Sequence, residues 1–360
     1  MKSYTAKIRS LVKREGAARY LRLTLVCFAV SVIVTRIFLQ ATGFPQIGAT
    51  DTHIAHVLFG GLMLFIASLI PLIFANRWVY TLASILSGAG VGLFIDEVGK
   101  FITVNNDYFI PSAMPIIYAF FLLTLLIYLQ VKRPPPEDPR ADLYRGLDSL
   151  QEVLDYDMDA RELSLLKKRL ERISNQNKYP ALSDLAKSLL AYLKSGVQIS
   201  PEHPGLLERV ISKLTEIESR IFSKKLLKII LLFGLCVFGL YSFLDLVTAF
   251  LAFLSPSYLF GLVTALISQG HIVSDSAVSW FLIRLLLQGL VGLLLLLSAV
   301  FLARGFERRA VNFAYFGILI SLTTVNLLVF YFDQFKAIYG TLGQLILLLV
   351  LVTYRRRSLS

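Results

Sequence analysis

Residues 278–302 read VSWFLIRLLLQGLVGLLLLLSAVFL, an apolar run in which Arg284 is the one charged residue. A helix needs about 20 apolar residues to cross the hydrocarbon core of a bilayer, so this run can span it. Seven further runs of spanning length lie at residues 21–41, 55–76, 78–98, 111–131, 226–253, 310–332 and 337–354. Because lipid cannot hydrogen-bond an open backbone, and no barrel-strand alternation is present, each run predicts an α-helix. The sequence predicts an all-α, polytopic transmembrane protein with about eight spans.

The basic residues predict which ends of the spans face the cytoplasm. Outside residues 134–222 the chain has 23 lysines and arginines, and 19 of them lie at span ends that share one side if the N-terminus is inside. This bias marks the cytoplasmic face. We therefore expect both termini in the cytoplasm. The net charge of +12 is thus explained by basic residues that orient the protein in the lipid bilayer, which is its expected partner. It does not indicate nucleic-acid binding.

Changes in composition divide the chain into four segments. Residues 1–20 are a basic N-terminal segment, residues 21–132 hold four spans, and residues 223–360 hold four more. Residues 133–222 open with RPPPEDPR and contain leucines spaced three and four apart, which is typical of amphipathic helices. We expect this segment to form a cytoplasmic helical domain, in which residues 139–222 offer a surface for a protein partner.

The two four-span segments resemble each other near the ends of their third spans. An acid-x-x-lysine pattern formed by Glu97 and Lys100 recurs as Asp333 and Lys336. Each segment has an even number of spans, so both would begin inside. The pattern predicts an internal repeat of two four-helix units, related by an axis normal to the membrane.

Ionisable residues near the outer ends of the spans predict a polar site. A charge at the centre of a span costs about 2.5–3.5 kcal/mol on insertion scales, so such residues persist mainly where they pair or line a wet cavity. Glycines such as Gly60 and Gly61, and those in residues 87–92, permit close helix packing behind this site. We expect an outward-facing pocket between the two halves, lined by His56, Asp96, Glu97, Lys100, Asp107, Arg284 and Asp333.

The first half of this set admits two interpretations. His53 and His56 are three residues apart on one helix face, and with Asp96 and Glu97 they supply a ligand set for a divalent metal ion. Alternatively, the same residues form a hydrogen-bonded polar cap, with Asp96–His56 and Glu97–Lys100 as structural pairs. No other cofactor is implied.

The second half admits a similar choice. Arg284 and Asp333 either line a charged passage between the halves or form one buried ion pair that orients the helices. By the same reasoning, Arg36 and Asp245 are expected to pair across the halves.

Residues 92–103, GLFIDEVGKFIT, are followed by NNDYF at 105–109 and by Tyr118. This stretch resembles an uncharacterised family of bacterial integral-membrane proteins with an LFIDEVGKF…NDYF signature. The resemblance covers about the first half of the membrane part. It implies a bacterial inner-membrane location and points to the same outer patch, and it implies no reaction.

Three functions fit these observations. The leading hypothesis is a transporter-like or solute-binding membrane protein, without enzymatic activity, whose partner is a small solute or ion. The second is a metal-dependent membrane hydrolase or lipid-modifying enzyme, with Glu97 or Asp96 as general base. The third is a membrane sensor or scaffold that signals through residues 139–222.

Overall fold

The computed structural model describes residues 11–43, 55–104, 110–133, 138–175, 180–195, 224–268, 275–334 and 337–358. Within these ranges every regular element is a helix and there is no strand. Eight of the helices are long and apolar enough to cross a membrane. The predicted all-α, polytopic membrane fold is confirmed.

In chain order the helices are α1 (Ala17–Thr42), α2 (His56–Ile73), α3 (Arg77–Asp96), α4 (Val98–Ile102), α5 (Ala113–Lys132), α6 (Pro139–Leu154), α7 (Ala160–Ser174), α8 (Pro180–Lys194), α9 (Lys224–Leu254), α10 (Pro256–Ser268), α11 (Asp275–Ala303), α12 (Glu307–Ile320), a π-helical segment (Ser321–Val325), α13 (Asn326–Asp333) and α14 (Ala337–Ser358). The spans are α1, α2, α3, α5, α9, α11, α14 and the continuous helix formed by α12, the π-helical segment and α13. Each coincides with one predicted run.

The described helices belong to two compact units, one comprising Met1–Glu97 and Phe121–Gly205 and the other Val98–Phe120 and Leu206–Ser360. In the first unit α3 packs against both α1 and α2. The packing is close because glycines face the neighbouring backbones: a β-carbon at Gly60 would lie 2.7 Å from the backbone nitrogen of Phe94, and one at Gly90 would lie 2.9 Å from the Gly60 carbonyl oxygen. The predicted close approach is confirmed at Gly60, whereas a β-carbon at Gly61 would meet no described atom within 4 Å.

Helices α6, α7 and α8 form a small bundle in the first unit, the helical insert (residues 139–194). Its core is apolar, and Leu166, Leu170 and Ala186 are among its buried residues. Helix α7 begins with a capping box, in which the Asp159 side chain accepts from the Glu162 backbone N–H and the Glu162 side chain accepts from that of Asp159. The amphipathic helices predicted here are therefore present. Residues 134–137, 176–179 and 196–222 of the predicted cytoplasmic domain lie outside the described residues.

In the second unit α11 packs against α9 and α12, and α14 packs against α9 and α12. A β-carbon at Gly292 would lie 2.5 Å from the backbone nitrogen of Phe243, so glycine brings α9 and α11 into close contact. The core between these helices includes Leu235, Ile318 and Leu351. In the first unit the third span, α3, packs against two other spans, whereas in the second unit the sixth span, α11, does so. These packing patterns do not establish a repeat, so the internal repeat stays a prediction.

Candidate functional site

A charged cluster lies at the ends of α1, α2 and α3 in the first unit. Asp96 is the last residue of α3, and its side chain is 0% exposed. The Arg36 Nε donates to Asp96 Oδ1 at 2.5 Å, and Arg36 Nη2 donates to the Asp96 backbone oxygen at 2.9 Å. A buried carboxylate is costly without a counter-charge, and Arg36 supplies it. Sequence reasoning paired Arg36 with Asp245, whereas the structure pairs it with Asp96.

His56 connects the two acidic residues of this cluster. Its Nε2 lies 3.2 Å from Asp96 Oδ2, and its Nδ1 lies 3.0 Å from Glu97 Oε1. A neutral imidazole has one N–H and can donate to one carboxylate only. The His56 side chain is 21% exposed and both acids are buried, so the histidine is the accessible member of the three.

These contacts bear on the two interpretations of the cluster. The Asp96–His56 pair of the predicted polar cap is present. In the part of the chain that the structure describes, no group of three His, Cys, Asp or Glu side chains is placed to hold a metal ion. The predicted ligand His53 lies outside the described residues, as does Asp107 of the predicted pocket. Lys100 lies in α4 and belongs to the second unit.

A second charged cluster lies in the second unit. Arg284 of α11 forms two hydrogen bonds with Asp333 of α13, at 3.3 Å from Nη1 to Oδ1 and 2.7 Å from Nη2 to Oδ2. The Arg284 Nε donates to Gln288 Oε1 at 3.3 Å. The guanidinium also lies 5.5 Å from the centre of the Phe281 ring, within the range of a cation–π contact. The Arg284 side chain is 8% exposed and that of Asp333 is 35% exposed, so the pair reaches from the interior to the surface of the unit.

This pair lines a cavity of 530 Å³ between the spanning helices of the second unit. Its polar lining residues include Ser242, Arg284, Gln288, Ser321, Asn326, Asp333, Thr341 and Gln344. Its apolar wall includes Val237, Phe238 and Val329. Sequence reasoning found Arg284 and Asp333 and missed the amides and hydroxyls, because none of these residues is charged.

The π-helical segment shapes the wall that carries Ser321 and Asn326. Such segments are rare and are often found at functional sites. The buried Asn326 donates through Nδ2 to Thr341 Oγ1 and to Gln344 Oε1, each at 3.0 Å, which joins α13 to α14. The Tyr118 hydroxyl of α5 donates to the Leu322 backbone oxygen at 2.5 Å, so it satisfies a carbonyl group inside this segment. The sequence run SLTTV gave no signal of the distortion.

The helical insert meets the basic ends of the first unit's spans. Glu152 of α6 forms an ion pair with Arg77 at the start of α3, and Arg169 of α7 lies 3.0 Å from Glu15. The Asn76 Nδ2 donates to Asp155 at 3.0 Å. Burial raises the pKa of Glu152 to about 7, against the opposing effect of Arg77. The insert thus contacts α3 and the segment before α1 through polar and charged side chains.

The structure gathers the predicted site residues into separate clusters. His56, Asp96 and Glu97 are together in the first unit, and Arg284 and Asp333 are together in the second. A pocket shared by the two halves stays a prediction.

No family model matches this chain, no curated protein matches it, and no solved structure matches it. The fold and the polar clusters define the class to which the chain belongs, a multi-pass α-helical membrane protein with charged groups inside its spans.

Proposed function

We propose that this protein is transporter-like: it binds a small polar solute in the cavity of the second unit and moves it across the membrane. The observation that supports this proposal is the cavity itself, 530 Å³ in volume and lined by Arg284 and several amides and hydroxyls within the spans. Ligand sites in proteins typically measure about 300–1,000 Å³, with a few polar groups on a mainly apolar wall.

The cavity favours this role over that of a purely structural ion pair. If the Arg284–Asp333 pair were purely structural, we would expect it to be closely packed on all sides, because protein interiors are close-packed and a buried ion pair needs good geometry. Here the pair borders open space together with Gln288, Asn326 and Gln344. Burying these polar groups inside spans costs free energy, and a role in solute binding would explain why the protein keeps them there.

Uptake by vesicles tests the proposal. The purified full-length protein is reconstituted into liposomes and incubated with a mixture of small polar solutes, and the vesicle contents are measured by mass spectrometry. The controls are protein-free liposomes and the double variant Arg284→Gln/Asp333→Asn, which removes both charges together. We expect at least one solute to enter faster with the unmodified protein than with either control. Equal entry of every solute in all three preparations would refute a transport role.

A second candidate function is a sensor or scaffold, favoured by the contacts between the helical insert and the first unit's spans. Glu152, Asp155 and Arg169 attach the insert to the ends of α1 and α3. A displacement of these spans would therefore move the insert. Co-purification with and without residues 139–222 tests this role, and a partner retained after the deletion would exclude docking at the insert. No observation in the described residues favours the metal-dependent hydrolase.

The proposal includes the predicted orientation, a bacterial inner membrane with both termini and the insert in the cytoplasm. It rests on the positive-inside bias and on the family resemblance. A cysteine placed at exposed Asp184 of the insert should react with a membrane-impermeant reagent only after the cells are opened. Labelling at this position in intact cells would show that the orientation is the opposite of the proposed one.

A further inference from the structure

The Arg284–Asp333 pair lines the cavity and has donors and acceptors that its own hydrogen bonds do not use. A guanidinium has five N–H hydrogens, and the bonds from Arg284 to Gln288 and Asp333 use three of them. An ionised carboxylate has about four acceptor positions, and Asp333 uses two on Arg284. A bound solute can therefore donate to Asp333 and accept from Arg284 without separating the two.

The charges around the cavity disfavour a simple anion. Asp245 of α9 interacts electrostatically with Arg284 and with Asp333, so two carboxylates share one guanidinium. The Oδ2 atom of Asp245 is buried and has no hydrogen-bond partner among the described residues. A solute with only an anionic group would add a third negative charge in a region of low dielectric, where like charges repel strongly.

A simple cation also fits incompletely. It would offset the excess negative charge of the two carboxylates and use the acceptors of Asp333, but it would leave the remaining Arg284 hydrogens without a partner, next to a like charge. A solute that carries both a carboxylate and an ammonium group satisfies both residues. It also adds no net charge to the interior of the membrane protein, which keeps the cost of burial low.

We infer that the cavity binds a small zwitterion, with its carboxylate on Arg284, its ammonium group on Asp333 and its apolar body against Phe238 and Val329. This inference rests on the proposed solute-binding function of the same cavity. It adds the chemical class of the solute. The volume of 530 Å³ suits a molecule of the size of an amino acid or a dipeptide.

Matched probes test the class of solute. The full-length protein in lipid nanodiscs is titrated calorimetrically with the common amino acids. The tightest binder is then compared with its amide, which lacks the carboxylate, and with the acid that lacks its amino group. Because each charged group makes a charge-assisted hydrogen bond, we expect each half-ligand to bind about tenfold more weakly or worse. A half-ligand that binds as tightly as the amino acid would overturn the inference.

Variants locate the binding at this pair. Arg284→Gln should lower the affinity for the amino acid to that for its amide. Asp333→Asn should lower this affinity to that for the deaminated acid. The double variant Arg284→Gln/Asp333→Asn strands only Asp245, whereas Arg284→Gln alone strands two carboxylates, so the double variant keeps the test informative if that single variant fails to fold. Arg304→Gln removes one exposed arginine just after α11 and should leave binding unchanged. Unchanged binding in the double variant would overturn the inference.

The two proposals fail separately. One outcome is that none of the amino acids binds while the liposomes take up another class of solute, in a manner that depends on Arg284 and Asp333. In that case the inference of a zwitterionic solute is wrong and the transport function stands. If no amino acid binds and no solute enters, both proposals are wrong.

Discussion

Arg284 and Asp333 form a two-pronged ion pair whose members differ in exposure, with the arginine side chain 8% exposed and the aspartate 35% exposed. Asp245 also interacts electrostatically with Arg284, so loss of the arginine leaves two carboxylates without their counter-charge.

We therefore predict that Arg284→Gln, which strands both Asp333 and Asp245, destabilises the protein by about 3 kcal/mol or more. Asp333→Asn leaves Asp245 as a counter-charge for the guanidinium and should cost less. The double variant strands only Asp245, so it should be more stable than Arg284→Gln alone. Thermal unfolding of the four proteins in one detergent gives the comparison. Equal midpoints for the two single variants would show that Asp245 does not act as a second counter-charge.

Asp96 should be the most sensitive acid of the first unit. It is fully buried and accepts from Arg36 and contacts His56, so Asp96→Asn removes the counter-charge of a buried arginine. We predict a loss of about 3–5 kcal/mol. Asp184→Asn makes the same chemical change at an exposed acid whose partner Lys187 is also exposed, and it should change the stability by less than about 1 kcal/mol. Similar losses at both positions would contradict the assigned role of Asp96.

Neighbouring glycines on α2 offer a test of the helix packing behind this cluster. Gly60→Ala would place a β-carbon 2.8 Å from the Gly90 backbone oxygen, so α2 must move away from α3, at a cost of about 1–3 kcal/mol. Gly61→Ala meets no described atom within 4 Å and should be neutral or stabilising, because alanine favours a helix by about 1 kcal/mol over glycine. The difference in unfolding midpoint between the two variants is the measurement. An equal effect of both would refute the close contact of α2 and α3.

The first unit should lose stability as the pH rises through neutrality. The folded-state pKa of Glu152 is about 7, above its ordinary value of 4.5. The folded state thus binds this proton more tightly than the unfolded state, and the resulting stabilisation is complete below pH 4.5 and lost as the pH passes 7. Glu152→Gln mimics the protonated form, so it should match the unmodified protein near pH 5 and exceed it at pH 8. Unfolding midpoints across this range test the prediction, which a constant difference would contradict.

The sequence predicted the spans because each is an apolar run of sufficient length, and that property survives in any packing. It also predicted the His56–Asp96 contact, because antiparallel spans place those two helix ends together. It did not predict the Arg36–Asp96 pair, whose members are 60 residues apart on two different helices, α1 and α3.

The cavity was beyond sequence reasoning for a related reason. Asn326, Thr341 and Gln344 meet because α13 packs against α14. Neither the spacing of these residues nor their composition encodes that contact. Ionisable residues are conspicuous within a span, whereas single amides are not.

The most direct test of the account is a cryo-electron microscopy structure of the full-length protein in nanodiscs, with the solute that the reconstituted protein transports. We predict density for that solute in the cavity of the second unit, within hydrogen-bond distance of Arg284 and beside Asp333. Solute density at His56 in the first unit, with the cavity empty, would contradict the account.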